Sequence, residues 1–497
     1  MLAQKFAVGY ISKIVVQCVQ MATSLIVARL VGPGVLGTLA YGLAFASMFS
    51  FISDLGIGSA HIRILSEGKE NENDCNCTFL SLKSFLMFTY VVFTLLIFYY
   101  KKYLQKSGFE SNDQEIVVLI YIVIIFVSQL FTFFSSYWAA KTEQIKQDLP
   151  TLIQTLVYQI LRVALALFGY KAVELALGNL FAVLIVIPLY FWLGRNIKLG
   201  MFKWSIAKKY IGLSIPLILI LFSQVVIYSF DKIYLQSQTN LKILGNYSAG
   251  LTLASFIKTI EGSLGLLFFP LFSRYITENQ IDIVNDIIKK YEKINFFLIM
   301  PMVLIASITS RELILITYGN KFNFASDVFA FAIISFFIST ITLPYANILT
   351  GLGKFKESSI IWISSGFIFL TLAYILVHKN NFNLAAKGMA IAILGTNLFL
   401  LLTYLLYLKK VSPFKIRLVT QRSLVVFNLS FFALVFLAYS LLPKINTLLT
   451  ISFVVPILLL YLILVWLFKL VEVNDLRMLK NLVNPKRMKN YIKSELK

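Results

Sequence analysis

A few ionisable side chains interrupt long apolar stretches. Lys13, Arg162, Lys258 and Glu261 lie within such stretches, and Arg29, Asp54, Glu174, Asp231 and Lys232 lie at or beside their ends. A charge at that depth is costly and usually faces a bundle interior or a wet cavity. The chemistry open to such a set is non-covalent: cations in a hydrated cleft meeting an anionic group such as a lipid-linked phosphate or pyrophosphate. Lys258 and Glu261, three residues apart, share a helical face. Lys258 is therefore either balanced locally or presented to cargo. Lys13 lies about one turn into its stretch and could snorkel to the interface, and Arg29 could equally anchor there. Arg162 has no acid in its own stretch, so it snorkels or meets a partner from another helix. A carrier of organic cations would favour acidic cavity residues. Asp54, Glu174 and Glu261 keep that question open, and with Asp231 they are the candidates for ion coupling or charge balance.

Bond-making chemistry has little support. Two histidines, His61 and His378, stand far apart. Cys18 lies in an apolar run and reads as a packing residue, and Cys75 and Cys77 form a lone C-x-C with no second pair to complete a zinc site. No G-x-x-x-x-G-K-[ST] phosphate loop occurs. The expectation is a protein that is not an enzyme, with no cofactor and no metal.

The elements that must position these charges follow from composition. The 497 residues are 59% hydrophobic and 14% charged, against about 25% charged in soluble domains. A span needs about 20 largely apolar residues. Fourteen such spans are expected, near 8–28, 35–54, 80–100, 115–139, 149–169, 172–193, 210–230, 246–272, 293–313, 326–349, 357–377, 384–408, 421–442 and 449–469. The start lacks a cleavage site and reads as a retained first helix. With the N-terminus inside, 30 Lys and Arg fall on the inner side and 12 on the outer. That bias predicts both termini in the cytoplasm. It also assigns the net charge of +22 to contacts with anionic membrane lipids rather than nucleic acid. The exterior loops are short, the longest being 101–114 and 231–245. Among the cytoplasmic pieces, NENDCNC at 71–77 reads as a solvated loop. DIVNDIIKKYEKI at 282–294 reads as an interfacial amphipathic helix connecting two lobes.

An internal repeat organises the spans. LGTLAYGLAFAS at 36–47 and LGNYSAGLTLAS at 244–255 share Leu, Gly, Gly, Leu, Ala and Ser at the same offsets, 208 residues apart. The copies open the second and eighth spans. A shift of six spans returns the chain to the same side, which predicts two parallel six-helix lobes and two additional C-terminal helices. The expected fold is an all-α polytopic membrane protein: an N-terminal lobe at 1–200, a C-terminal lobe at 201–410, spans 13 and 14 at 411–470, and a basic cytoplasmic tail at 471–497. Gly37, Gly42, Gly245 and Gly250 would permit close helix contacts.

Residues 27–63, VARLVGPGVLGTLAYGLAFASMFSFISDLGIGSAHIR, with Arg29, Gly32, Pro33, Leu36, Gly37, Asp54, Leu55 and Gly56, resemble the opening of the polysaccharide-export family of bacterial lipid-linked oligosaccharide flippases, within the multidrug/oligosaccharidyl-lipid/polysaccharide exporter superfamily. Residues 229–250, SFDKIYLQSQTNLKILGNYSAG, with Asp231, Leu244, Gly245 and Tyr247, resemble the start of its second lobe. The resemblance covers essentially the whole chain. It implies an inner-membrane transporter that moves an undecaprenyl-pyrophosphate-linked repeat of an O-antigen, capsule or lipopolysaccharide to the outer leaflet by alternating access. A cationic central cavity is implied along spans 1, 2, 7 and 8, which points to Lys13 and Lys258, with Arg29 less directly placed. Polymerase and chain-length machinery and a coupling ion are compatible further partners. The alternatives are an exporter of drugs or small amphiphiles and a peptidoglycan precursor flippase. Spans 7 and 8 hold no arginine, which lowers the latter.

Overall fold

The computed structural model describes residues 2–105, 108–258, 280–411, 421–441 and 454–468, with single positions at 272, 275, 276, 278 and 470. Among them there are helices and no strands. Ten helices are long and apolar enough to cross a membrane, so the protein is an all-α polytopic membrane protein. Helices alone satisfy every backbone polar group within one segment, which the hydrocarbon demands. The outer surface suits lipid: Phe85, Phe88 and Leu96 project from one helix at 62–68% exposure.

The first half comprises α1 (Leu2–Met48), α2 (Ile57–Glu67), α3 (Glu72–Tyr99), α4 (Asn112–Ala140), α5 (Gln144–Leu167), α6 (Ala172–Ile185) and α7 (Ile187–Leu193). The second comprises α8 (Trp204–Val225), α9 (Asp231–Gln238), α10 (Leu241–Ala254), α11 (Ile281–Ile294), α12 (Met300–Ile308), α13 (Ser310–Tyr318), α14 (Ala325–Gly351), α15 (Phe355–Val377) and α16 (Ala385–Val411). Then come α17 (Arg422–Leu441) and α18 (Val454–Leu467).

Several local expectations are corrected. No loop separates the first two apolar spans. The chain turns at Gly32 alone, with φ 80° and ψ 175°, a conformation open essentially only to glycine, and Pro33 starts the next helical segment with its ring already at a helical φ. NENDCNC is not a solvated loop but the first turns of α3. The Asn71 side chain accepts from the backbone N–H of Asn73 and Asp74, and Glu72 and Asp74 favour the positive helix end. Cys75 and Asn76 are buried there, whereas Cys18, expected to pack, is exposed. The 231–245 segment, expected as an exterior loop, is mostly helical, with Asn240 capping α10 through Ile243 N–H at 2.9 Å. The amphipathic 282–294 piece is not a separate interfacial connector. It continues through a π-type turn at Asn295–Ile299 into α12, and Ile281–Ile308 forms one apolar helix of 28 residues.

The repeat reappears as geometry. A methyl group on Gly37 would stand 1.8 Å from the Leu241 carbonyl oxygen, and one on Gly245 would stand 1.7 Å from that of Pro33. Adding 208 to Pro33 and Gly37 gives Leu241 and Gly245, so the two contacts exchange under the repeat offset, the mark of a two-fold relation. Gly42 packs on Val117 of α4, and Gly250 packs on Ala325 of α14, again 208 further on. Helix pairings repeat as well: α1 with α4, α4 with α6 and α5 with α6 correspond to α10 with α14, α14 with α16 and α15 with α16. The C-terminal helices dock on α11–α12, where the π-type turn frees carbonyls. Asn428 Nδ2 donates to Phe296 O at 2.7 Å, and the Tyr461 hydroxyl donates to Phe297 O at 3.2 Å.

The segment joining the halves is fastened to the start of α3. Asp74 accepts from Met201 N–H at 3.0 Å and pairs with Lys203, which raises the Lys203 amine above its usual range. Asn76 Nδ2 donates to Lys198 O at 3.1 Å. Close by, His61 is fully buried, stacked on Phe79 at 4.2 Å, with Nδ1 2.8 Å from the Tyr210 hydroxyl. Burial pushes its imidazole down to about 3.

Candidate functional site

A cavity of about 540 Å³ lies where α1, α5, α10 and the π-type turn Val226–Phe230 leading into α9 meet. The small residues of α1 and α10 make room for it: Ser24, Ala40 and Ala44 on one side, Ser248, Ala249, Thr252 and Ser255 on the other. Its described lining holds three cations, Arg162, Lys232 and Lys258, and no carboxylate. Tyr121, Tyr158, Tyr228, Tyr318 and Phe336 supply aromatic faces.

The cations differ in how they are held. Lys232 Nζ lies 3.1 Å from both Asp231 oxygens and donates to Tyr228 O at 2.9 Å, so its charge is matched in place. Lys258 Nζ sits 4.3 Å from the centroids of both Tyr228 and Phe336. Ring faces attract the ammonium, and no carboxylate among the described residues pairs with it. Arg162 lies 5.9 Å from the Tyr158 ring, and its buried Nε has no partner among the described residues. Ser248 Oγ and Tyr318 OH, also in the lining, are likewise buried without partners among those residues. Buried polar groups are normally hydrogen-bonded. Three such vacancies around one cavity suit a polar occupant.

A polar recess of about 290 Å³ adjoins the cavity, sharing Ser24, Arg162, Thr252 and Ser255 with it and adding Gln17, Gln20 and Gln159. Thr23 donates to Gln159 Oε1 at 2.5 Å. Arg162 stands at the junction. Its cation was legible in the sequence as a charge lacking an acid in its own span, but its convergence with Lys258 needed the fold.

Of the other expected site residues, Lys13 lies on α1 with its side chain outside the described ones, and Glu261 lies outside the described residues. Arg29 does not line the cavity. It is exposed and donates from Nε to Thr317 O at 2.7 Å, linking α1 to α13. The three described acids, Asp54, Asp231 and Glu174, are not brought together. Asp54 pairs with Lys83 at 2.9 Å, and Lys83, fully buried rather than an interface anchor, also reaches Gln129 Oε1 at 2.8 Å. Asp231 is 1% exposed and accepts from Tyr247 OH at 2.7 Å as well as from Lys232. Glu174 accepts from Lys171 N–H at 3.0 Å and caps α6. Among the described residues no cluster of His, Cys, Asp or Glu could hold a metal.

Solved structures share this fold. A lipid II flippase MurJ in an inward closed conformation matches with a TM-score of 0.69 at 13% identity, over 92% of this chain and 98% of that one. An inward-facing multidrug resistance MATE family transporter of the MOP superfamily matches with a TM-score of 0.65 at 15% identity, over 81% and 99%. An outward-facing MATE family transporter gives 0.57 at 15%, over 81% and 94%. No curated protein matches the chain. The likenesses to solved structures are of fold alone. The chain belongs to the polysaccharide biosynthesis protein family, whose model it matches over residues 26–327.

Proposed function

We propose that the protein flips an undecaprenyl-pyrophosphate-linked oligosaccharide repeat from the cytoplasmic to the outer leaflet of a bacterial inner membrane. The observation that carries this reading is the pair Arg162 and Lys258, two cations with no carboxylate partner among the described residues, facing one aromatic-walled cavity between apolar helices. A charged sugar-bearing head crosses hydrocarbon only at great cost. A polar cleft removes that cost while the prenyl tail stays in lipid beside the recess between α1, α5 and α10. Arg162 offers a planar fork suited to phosphate oxygens, and Lys258 a point charge. No bond is made or broken.

In this reading fourteen spans form two six-helix lobes, 1–200 and 201–410, followed by two helices and a basic tail, with both termini cytoplasmic. The exchanged contacts at Gly37 and Gly245 support the two-fold division. On this topology they lie toward the outer face and keep it shut, so that rocking of the lobes opens one side at a time. The absence of carboxylates from the described lining favours an anionic cargo over organic cations. Asp54, Asp231 and Glu174 are assigned to an ion pair, a buried network and a helix cap, and Arg29 to a contact between helices.

The test is cellular. An Arg162→Gln/Lys258→Gln double variant, inserted normally, should leave lipid-linked repeats accumulated on the cytoplasmic leaflet and polymer absent from the surface. Normal polymer export by that variant would overturn the reading.

A further inference from the structure

A second cavity, of about 560 Å³, continues from the cationic one, sharing Ser47, Tyr228 and Ser229 with it. Its chemistry is different. Eleven of its seventeen lining residues carry neutral hydroxyl or amide side chains, drawn from α1, α2, α4, α5, α8 and the turns at Ser50–Ser53 and Val226–Phe230. Its one ionisable acid, Asp54, is already matched by Lys83. Ser59, Gln147 and Gln224 line it without a side-chain hydrogen-bond partner among the described residues. Phe51 and Tyr228 add ring faces, with Phe51 braced edge-on by Phe222 at 5.5 Å. The volume falls within the roughly 300–1,000 Å³ of ordinary ligand sites.

We propose that this cavity is a glycan subsite, which takes the neutral sugars attached to the pyrophosphate and sets which repeats are carried. The inference rests on the flippase reading above. A sugar ring presents hydroxyls at its edges and C–H groups on its faces, and the lining offers amide and hydroxyl groups beside two aromatic rings. Amides both donate and accept, so each unpartnered Gln can serve a hydroxyl in either sense. A water-filled passage would not need the rings. An acidic sugar would find no spare cation here, because Lys83 is committed to Asp54. The phosphates then sit at Arg162 and Lys258, near the recess where the tail leaves, and the sugars extend toward Gln147 and Gln224.

The test uses the purified full chain and two probes: undecaprenyl pyrophosphate, and the undecaprenyl-pyrophosphate-linked oligosaccharides extracted from cells that make the protein. Affinity is read from the ligand-induced rise in thermal midpoint. Gln147→Leu and Gln224→Leu should each weaken the sugar-bearing lipid by roughly three- to tenfold, the worth of one neutral hydrogen bond, and leave the sugar-free lipid unchanged. Ser59→Ala, at an exposed edge, serves where a Gln variant folds poorly. Arg162→Gln should weaken both probes. If the cavity variants change neither probe, or both equally, while Arg162→Gln weakens both, the glycan subsite is wrong and the flippase reading stands. If Arg162→Gln changes neither, the flippase reading itself falls.

Discussion

The contact between Gly37 and Gly245 allows a quantitative perturbation. An alanine methyl at Gly37 would stand 1.8 Å from the Leu241 carbonyl oxygen, where ordinary contact begins at 3.4 Å. The helices must therefore part by about 1.6 Å. The obstacle is helical backbone, which cannot turn aside as a side chain would. Overpacking of this kind costs about 1–3 kcal/mol, which shifts an equilibrium between packed and parted helices by roughly five- to 150-fold. Because the contacts exchange under the repeat offset, Gly245→Ala should act equally, with its methyl 1.7 Å from Pro33 O. The assay is external labelling of Leu241→Cys by a membrane-impermeant maleimide, with Cys18, Cys75 and Cys77 replaced by Ala. Labelling should accelerate by that factor in both glycine variants. Gly212→Ala, with open space around the new methyl, should leave it unchanged. Labelling no faster in Gly37→Ala than in its parent, in protein that folds, would refute the reasoning.

Three further outcomes follow from single contacts. Lys83 is fully buried and Asp54 is partly exposed, so Asp54→Asn, which strands a buried cation, should destabilise by about 3–5 kcal/mol. Lys83→Met should cost less, and the double variant should recover part of the loss; equal thermal midpoints for the two single variants would contradict this. His61 stays neutral in the folded protein, with its pKa lowered to about 3, whereas the unfolded imidazole takes up a proton below about 6.5. Acid therefore favours unfolding, by about 2 kcal/mol at pH 5. His61→Gln should flatten the midpoint between pH 7 and 5, and an unchanged slope would falsify the assignment. Asn428→Ala leaves the Phe296 carbonyl unpaired at the π-type turn and should cost about 1–3 kcal/mol, read as a lower thermal midpoint.

Much of the architecture was legible because apolar length and charge are one-dimensional signals. The repeat at Gly37 and Gly245 was readable as letters, and the structure gives it a physical content: two backbones in contact. What escaped was whatever depended on a partner distant in sequence. Lys83 carried no sign of its burial, because its partners Asp54, in the turn before α2, and Gln129, on α4, are distant in sequence. Residues 71–77 looked solvated because polar residues suit a helix start as well as a loop, and the segment that covers them, 198–203, lies far along the chain. Arg29 is a site candidate through the resemblance, whereas Arg162 stands out only as a charge without an acid in its own span. Only the crossing of α1, α5 and α10 brings Arg162 into one cavity with Lys258 and turns Arg29 toward Thr317. The 282–294 periodicity was read correctly as amphipathic, but one face is buried in protein at Val284, Ile288 and Tyr291.

The central claim is that the cleft carries a lipid-linked pyrophosphate through Arg162 and Lys258. The direct measurement is translocation of undecaprenyl-pyrophosphate-linked oligosaccharide across sealed proteoliposomes holding the purified protein. The account predicts protein-dependent transfer that falls by about a hundredfold or more in the Arg162→Gln/Lys258→Gln variant, the loss expected from two charge-assisted contacts of about 1.5–3 kcal/mol each. Transfer by that variant at the parent rate would contradict it.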